Sequence, residues 1–298
     1  MDTLQLLFNA VTVVFIAATM FAAGLGATLS ALRAVFANVL LLVLVLLANL
    51  VAVPLLGWGL AALFGLPTAA YIALLLIASS PGGPLGAKLG MVQKGDVVAG
   101  AAMQVLLAAV GSITFGPTAN VMLKAAGVGG GVALDVPALM LTVAVLQLVP
   151  FAVGLTVRHY ASPTALSWHP VAVGASNVTF LIVLAGMLLG NWRDVVALIG
   201  SLSPLAGFVF SAIAFGLGTA MATGPRALRT TMGGVTAVRN VGPALAAVGL
   251  AFGDEPAVLG ALAAVLLSGL AAAIPIAAVL SRRRSGTTAD HPARRPPA

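Results

Sequence analysis

GGVTAVRNVGPALA, residues Gly233 to Ala246, sets an arginine and an asparagine, Arg239 and Asn240, beside Gly242 and Pro243. The stretch lies in the middle of about 24 mostly apolar residues between Arg229 and Asp254. A cation near the middle of a span long enough to cross a bilayer costs about 2.5–3.5 kcal/mol on insertion scales, so it is a functional-site candidate by default. Gly242 and Pro243 would break the helix at that depth, and backbone groups freed there need a neighbouring protein surface or a water-filled cavity. An earlier run repeats the pattern: Ser80-Pro81-Gly82-Gly83-Pro84, followed by Lys88, interrupts another apolar stretch.

The surrounding composition is that of an integral membrane protein. Hydrophobic residues make up 61% of the 298 and charged residues 7%, with a mean hydropathy of +1.14. The apolar runs are long and lack the alternation of a membrane barrel, which leaves helices as the spanning element. The chain has no cysteine, so it has no disulfide framework, thiolate metal site or Cys nucleophile. Its net charge of +7 does not point to nucleic acid, because Arg282, Arg283, Arg284, Arg294 and Arg295 supply five of the 14 cations from one tail. Membrane lipid is the simpler partner for such a tail.

Cutting the apolar runs at charges, turns and Pro-Gly clusters predicts nine transmembrane helices. The first covers about Leu4 to Thr28 and reads as a span rather than a signal peptide; Gly24 and Gly26 near its end allow close helix contact. The second runs from about Ala37 to Phe64 with Asn49 and Pro54 inside it, and the third starts near Thr68 and breaks at 80–84. The fourth occupies about Val98 to Leu123, before a Gly-rich loop at Gly127 to Gly131. The fifth to seventh cover about Val136 to Val157, Val171 to Leu189 and Val195 to Ala222. The eighth contains Arg239, and the ninth runs from about Ala257 to Leu280. Ser285 to Ala298 is polar, Pro-rich and expected to be disordered.

An outside N-terminus puts Arg33, Lys94, Arg158, Arg226, Arg229 and the tail arginines inside, with Lys124 and Arg193 outside. Asp2, Asp135, Asp194, Asp254 and Glu255 then fall outside as well. The positive-inside rule favours this multi-pass topology in the plasma membrane, or the inner membrane of a bacterial cell, with a cytoplasmic C-terminus. One broken helix per half is the sequence pointer to an inverted-repeat secondary transporter. The halves divide as residues 1–124 and 125–281, with 282–298 as the basic tail.

The run from Ala48 to Asp96 contains Asn49-Leu50-Val51-Ala52-Val53-Pro54, Gly65-Leu66-Pro67, Ser80-Pro81-Gly82-Gly83 and Lys94-Gly95-Asp96-Val97. With Asn240, Gly242 and Pro256 further on, it resembles the bile acid:sodium symporter family over most of the chain. The resemblance implies a panel domain and a core domain, with two broken helices crossing in the core. It also implies a secondary transporter that moves a small organic anion by alternating access, with sodium as the coupling ion. The match of Met20-Phe21-Ala22-Ala23-Gly24-Leu25 to the family's second helix accounts for nine helices rather than ten.

Several positions depart from the family pattern. Aligned on Asn240 and Gly242, the glutamate of the sodium-coupled members falls at Val235 and their glutamine at Arg239. The Ser-Asn pair after the first break falls at Gly86 and Ala87, with Lys88 next, and the glutamine of the preceding helix corresponds to Asn49. Sodium is a hard cation that prefers oxygen ligands, and a guanidinium or ammonium in the same volume repels it. The residues therefore argue against the usual sodium sites, and no other cofactor is expected. A proton carrier would be an Asp, Glu or His inside the bundle; all seven acids and His159, His169 and His291 are read as terminal or in loops.

The candidate substrate- or ion-binding residues are Arg239, Asn240, Thr236, Asn49 and Lys88; the candidate helix-break residues are Ser80, Pro81, Gly82, Gly83, Gly242 and Pro243. Arg239 has two readings. It either stands in for a bound cation, holding an anionic substrate or bracing unwound carbonyls, or it caps helix ends without meeting substrate. Lys88 either faces the site or snorkels to the inner interface. Asn49 either bonds a neighbouring helix or faces the cavity, and Thr236 either donates to a ligand or bonds back to its own helix. Gln104 and Gln147 read as interhelical links, and the Asn177-Val178-Thr179 glycosylation pattern is discounted inside a span. The spans show no carboxylate pair, metal cluster or nucleophile with its base, so an enzyme is not expected. A non-transporting sensor or receptor on the same fold is the alternative function.

Overall fold

A computed structural model describes residues 3–128, 134–198, 200–252 and 256–289, and every regular element among them is helical. Eight helical stretches are long and apolar enough to cross a membrane, and the short apolar helix Thr68–Ala78 begins a ninth crossing. The protein is therefore an all-α multi-pass membrane protein. Asp2, Asp254, Glu255, His291, Arg294, Arg295 and most of the Gly-rich loop lie outside the described residues, as do the side chains of Ala87, Arg283 and Arg284.

The first half contains α1 (Thr3–Gly26), α2 (Leu29–Ala37), α3 (Val39–Leu47), α4 (Val53–Leu63), α5 (Thr68–Ala78), α6 (Leu85–Val92) and α7 (Val97–Ala126). The second half contains α8 (Val136–Tyr160), α9 (Ser162–Gly190), α10 (Trp192–Ala197), α11 (Ser203–Met221), α12 (Arg226–Ala237), α13 (Val241–Ala251) and α14 (Pro256–Ala289). Short polar side chains start several of these helices by accepting an otherwise orphaned N–H. Thr28 caps α2 through Ala31 N, Asn38 caps α3 through Leu41 N, Asp96 caps α7 through Ala99 N and Asp135 caps α8 through Ala138 N.

Several boundaries differ from the sequence reading. The second span is not one regular helix: Ala48–Ala52 forms a π-helical turn between α3 and α4, where Val53 N–H reaches back five residues to Ala48 O. In that register Asn49 O would face the nitrogen of Pro54, which has no hydrogen to donate. The chain around Arg33 is a separate helix, α2, rather than a loop. The sixth span starts at Ser162, with Pro163 in its first turn, so His169 lies inside α9 instead of before it. The seventh begins at Ser203, with Pro204 in its first turn, after the separate α10. Proline suits a first turn because the hydrogen it lacks has no helical partner there. The ninth helix passes through Arg282 and ends at Ala289, beyond the expected Leu280.

Helices α1, α8 and α9 pack on one another as one layer. Gly24 and Gly154 meet where α1 and α8 cross: a methyl group on Gly24 would overlap Phe151 O and come 2.8 Å from Leu155 N. The expectation of close contact at Gly24 therefore holds. Thr19 and Ser176 hydroxyls, 2.6 Å apart, join α1 to α9. The remaining spans gather around α5–α6 and α12–α13, with α14 packed on α5 and α11 and the latter packed on α12. These two interrupted helices hold the candidate site.

Candidate functional site

The two breaks touch. Helix α5 ends at Ala78 and α6 begins at Leu85, while α12 ends at Ala237 and α13 begins at Val241. Asn240 N–H donates to Ser80 O at 2.9 Å, and Ser80 Oγ donates to Asn240 O at 2.5 Å, so each unwound segment satisfies backbone groups of the other. This is how irregular backbone is tolerated at membrane depth. The second interruption falls at Val238 to Asn240, just before the expected Gly242 and Pro243. Those two residues instead form the first turn of α13, where Pro243 needs no N–H partner, and Asn240 Oδ1 caps the turn by accepting from Gly242 N.

Arg239 is 3% exposed, and its guanidinium meets four oxygens. Nη1 donates to Asn49 Oδ1 at 2.6 Å, Nη2 to Ala78 O at 2.7 Å and Asn49 O at 3.2 Å, and Nε to Ile77 O at 3.4 Å. The sequence explains why these oxygens can accept from a side chain. The carbonyls of Ile77 and Ala78 are the last of α5, which the Ser-Pro-Gly-Gly run terminates, and the carbonyl of Asn49 faces Pro54 in the π turn. Charge-assisted hydrogen bonds of this kind are about twice as strong as neutral ones. Three separated segments, around positions 49, 78 and 239, are tied together by one side chain.

The other candidates take distinct places. Asn49 is fully buried; its Nδ2 donates to Val45 O at 2.9 Å and to Thr236 Oγ1 at 3.0 Å, which holds its Oδ1 toward Arg239. Thr236 is fully buried behind Asn49 and orients it rather than lining an open site. Asn240 Nδ2 donates to Gln147 Oε1 at 3.0 Å, so Gln147 links α8 to the second break, as expected of an interhelical amide. Gly82 and Gly83 let the first break press against α7 and against the backbone of Val238 and Arg239.

A narrow cleft opens beside the crossing, with space for water-sized occupants in this conformation. Pro84, Leu85 and Lys88 contribute from the first broken helix, Val238, Arg239 and Val241 from the second. Phe15 of α1 and Ser176, Asn177 and Phe180 of α9 form the facing wall, and Leu266 of α14 also lines the cleft. Lys88 Nζ donates across the cleft to Asn177 Oδ1 at 2.6 Å, so it reaches the facing layer through this bond. The α9 residues were missed in the sequence, although Ser176, Asn177 and Phe180 share one helical face at i, i+1 and i+4. A polar pair inside an apolar span was the available signal.

The sequence model of the Sodium Bile acid symporter family matches residues 13–198, more than half of the chain. The chain belongs to that family. A relative, the probable sodium/metabolite cotransporter BASS3, chloroplastic, of Arabidopsis thaliana, is 28% identical over 176 residues. That alignment covers 57% of this chain and 38% of the relative, so the chain spans well under half of that protein's length. The matched family region includes Asn49, the first break and the α9 wall, and the second break lies beyond it.

In this symporter family the resemblance places sodium ligands at Gly86, Ala87, Val235 and Arg239. These residues do not fit a sodium ion. A methyl group on Gly86 would lie 2.8 Å from Val235 Cα, so the two backbones are in contact with no side-chain oxygen between them. Ala87 carries no side-chain oxygen, and at Arg239 the guanidinium already occupies the converging oxygens.

Proposed function

We propose that this family member is a secondary transporter that carries a small organic anion by alternating access through the cleft between the α1–α8–α9 layer and the broken-helix core. The observation that carries the reading is the charge of that cleft: of the residues lining it, Lys88 and Arg239 are the only charged ones, both are cations, and both broken helices reach it. The apolar surfaces of Phe15, Phe180, Val238 and Leu266 suit the body of an organic anion. Lys88 supplies the ammonium for its carboxylate or sulfonate, which would replace Asn177 Oδ1 as acceptor when the two layers separate. Arg239 braces the crossing as a fixed cation, leaving sodium no oxygens to bind. The membrane is the plasma membrane, with the N-terminus outside and the basic C-terminus in the cytoplasm.

The test is protein-dependent counterflow of organic anions into proteoliposomes in sodium-free buffer. Saturable counterflow without sodium is the expected result, and a strict sodium requirement would sink the role given to Arg239. Lys88→Gln is expected to raise the KM by about 10- to 100-fold, the equivalent of one charge-assisted hydrogen bond of about 1.5–3 kcal/mol. Lys88→Arg should recover part of the affinity, and neither change should much alter thermal unfolding, because Lys88 is only partly buried. An unchanged KM for both variants would remove Lys88 from the substrate site.

A further inference from the structure

A coupling ion does work because it binds on one side of the membrane, leaves on the other, and lets the carrier return without it. Arg239 cannot leave. Whatever field or binding energy its charge experiences on the outward movement is reversed on the return, so over a complete cycle it contributes nothing to the gradient of the substrate. A ligand shifts a conformational equilibrium only through its different affinity for the two states, and a covalently attached cation is present in both.

Among the described residues, no Asp, Glu or His lines the cleft at the crossing. Among the described acids, Asp96 and Asp135 cap the starts of α7 and α8, and Asp194 lies in the short α10, all at helix ends. His159 stacks edge-on against Tyr160 at the end of α8, and His169 lies against Gly26 at the end of α1; neither lines the cleft. Gly86 and Val235 close backbone to backbone where two further cation ligands would stand.

We propose that the protein equilibrates its organic anion by electrogenic uniport: the guanidinium locked onto Asn49, Ile77 and Ala78 removes the coupling ion, and the membrane potential sets the direction of net flow. In an interior-negative membrane that direction is outward for an anion. This rests on the transport reading above and adds to it the driving force and the direction.

The full-length protein in proteoliposomes decides the matter with two permanently anionic probes, taurocholate and benzenesulfonate, which as strong acids cannot leak across as neutral molecules. Counterflow with no ion gradient comes first. If neither probe shows protein-dependent counterflow, the underlying transport reading is overturned. With counterflow established, a potassium diffusion potential set by valinomycin is imposed. The expected result is net efflux under an interior-negative potential, reaching an outside-to-inside ratio of roughly 50 at about 100 mV for one charge, at about 2.3 kcal/mol per 100 mV and 1.36 kcal/mol per tenfold. An inward sodium or proton gradient at zero potential should produce no accumulation. Accumulation driven by either gradient, or counterflow with no response to potential, as in obligatory one-for-one exchange, would overturn the uniport while leaving anion transport standing.

Discussion

Arg239→Gln is expected to destabilise the protein by about 2–6 kcal/mol and to abolish most transport in sodium-free buffer, with a partial return of both when sodium is added. Removing the guanidinium strands Asn49 Oδ1, Asn49 O and Ala78 O, and takes one of its donors from Ile77 O. Each buried acceptor left without a donor costs about 1–3 kcal/mol, and the shorter amide of glutamine can satisfy at most part of the set. Ile77 O retains Ser80 N–H as a donor at 3.1 Å, which limits the loss to about two or three groups. Converging carbonyl oxygens are also what a hard monovalent cation prefers, and with the competing positive charge gone the repulsion that excludes it disappears. Thermal unfolding in detergent, in sodium chloride against choline chloride, separates the two roles. If Arg239 stands in for a bound ion, sodium raises the unfolding temperature of the variant and leaves the parent protein unmoved. If it only caps helix ends, the variant is destabilised equally in both salts.

Much of this arrangement is legible in the sequence. The spans follow from apolar length, the breaks from Ser-Pro-Gly-Gly and from a charge beside Gly-Pro, and the family resemblance from motifs around the first break. The partners of Arg239 were not legible, for a physical reason. Which carbonyls are free to receive a guanidinium depends on helix register elsewhere: Asn49 O is free because Pro54 meets it in a π turn, and a π turn leaves no mark in hydrophobic periodicity. The cleft wall on α9 was hidden differently. Asn177 sits in a glycosylation pattern inside a span, and nothing in the periodicity of α9 singles out the face that meets Lys88, because a helix apolar almost all round gives no preferred direction. Gly242-Pro243 has the sequence signature of the interruption itself, whereas the interruption precedes it and the proline lies in the first turn of the next helix.

Gly82→Ala and Gly83→Ala should each be strongly damaging, and for different reasons. Gly82 adopts φ +80, where an L side chain costs roughly 1–2 kcal/mol before any contact is counted. A methyl group there would also come 2.8 Å from Gln104 O and overlap the backbone nitrogen of Ala108, so α7 itself would have to move. Gly83 has no such torsional demand; its methyl would overlap the carbonyl of Arg239 and come 2.6 Å from Val238 O. Relief there means pushing the second break away from the first, which lengthens the Ser80–Asn240 hydrogen bonds and withdraws the guanidinium from Ala78 and Asn49. Gly82→Ala is thus expected to lower the unfolding temperature most, whereas Gly83→Ala is expected to lose counterflow and gain sodium-dependent stabilisation, in common with Arg239→Gln. Gly59→Ala is the control, because a methyl group on that exposed α4 glycine meets nothing within 4 Å and should stabilise the helix by about 0.5–1 kcal/mol. Equal unfolding temperatures for all three variants would show that the breaks do not press on their neighbours as closely as their glycines require, and the coupling between Gly83 and Arg239 would fall with that result.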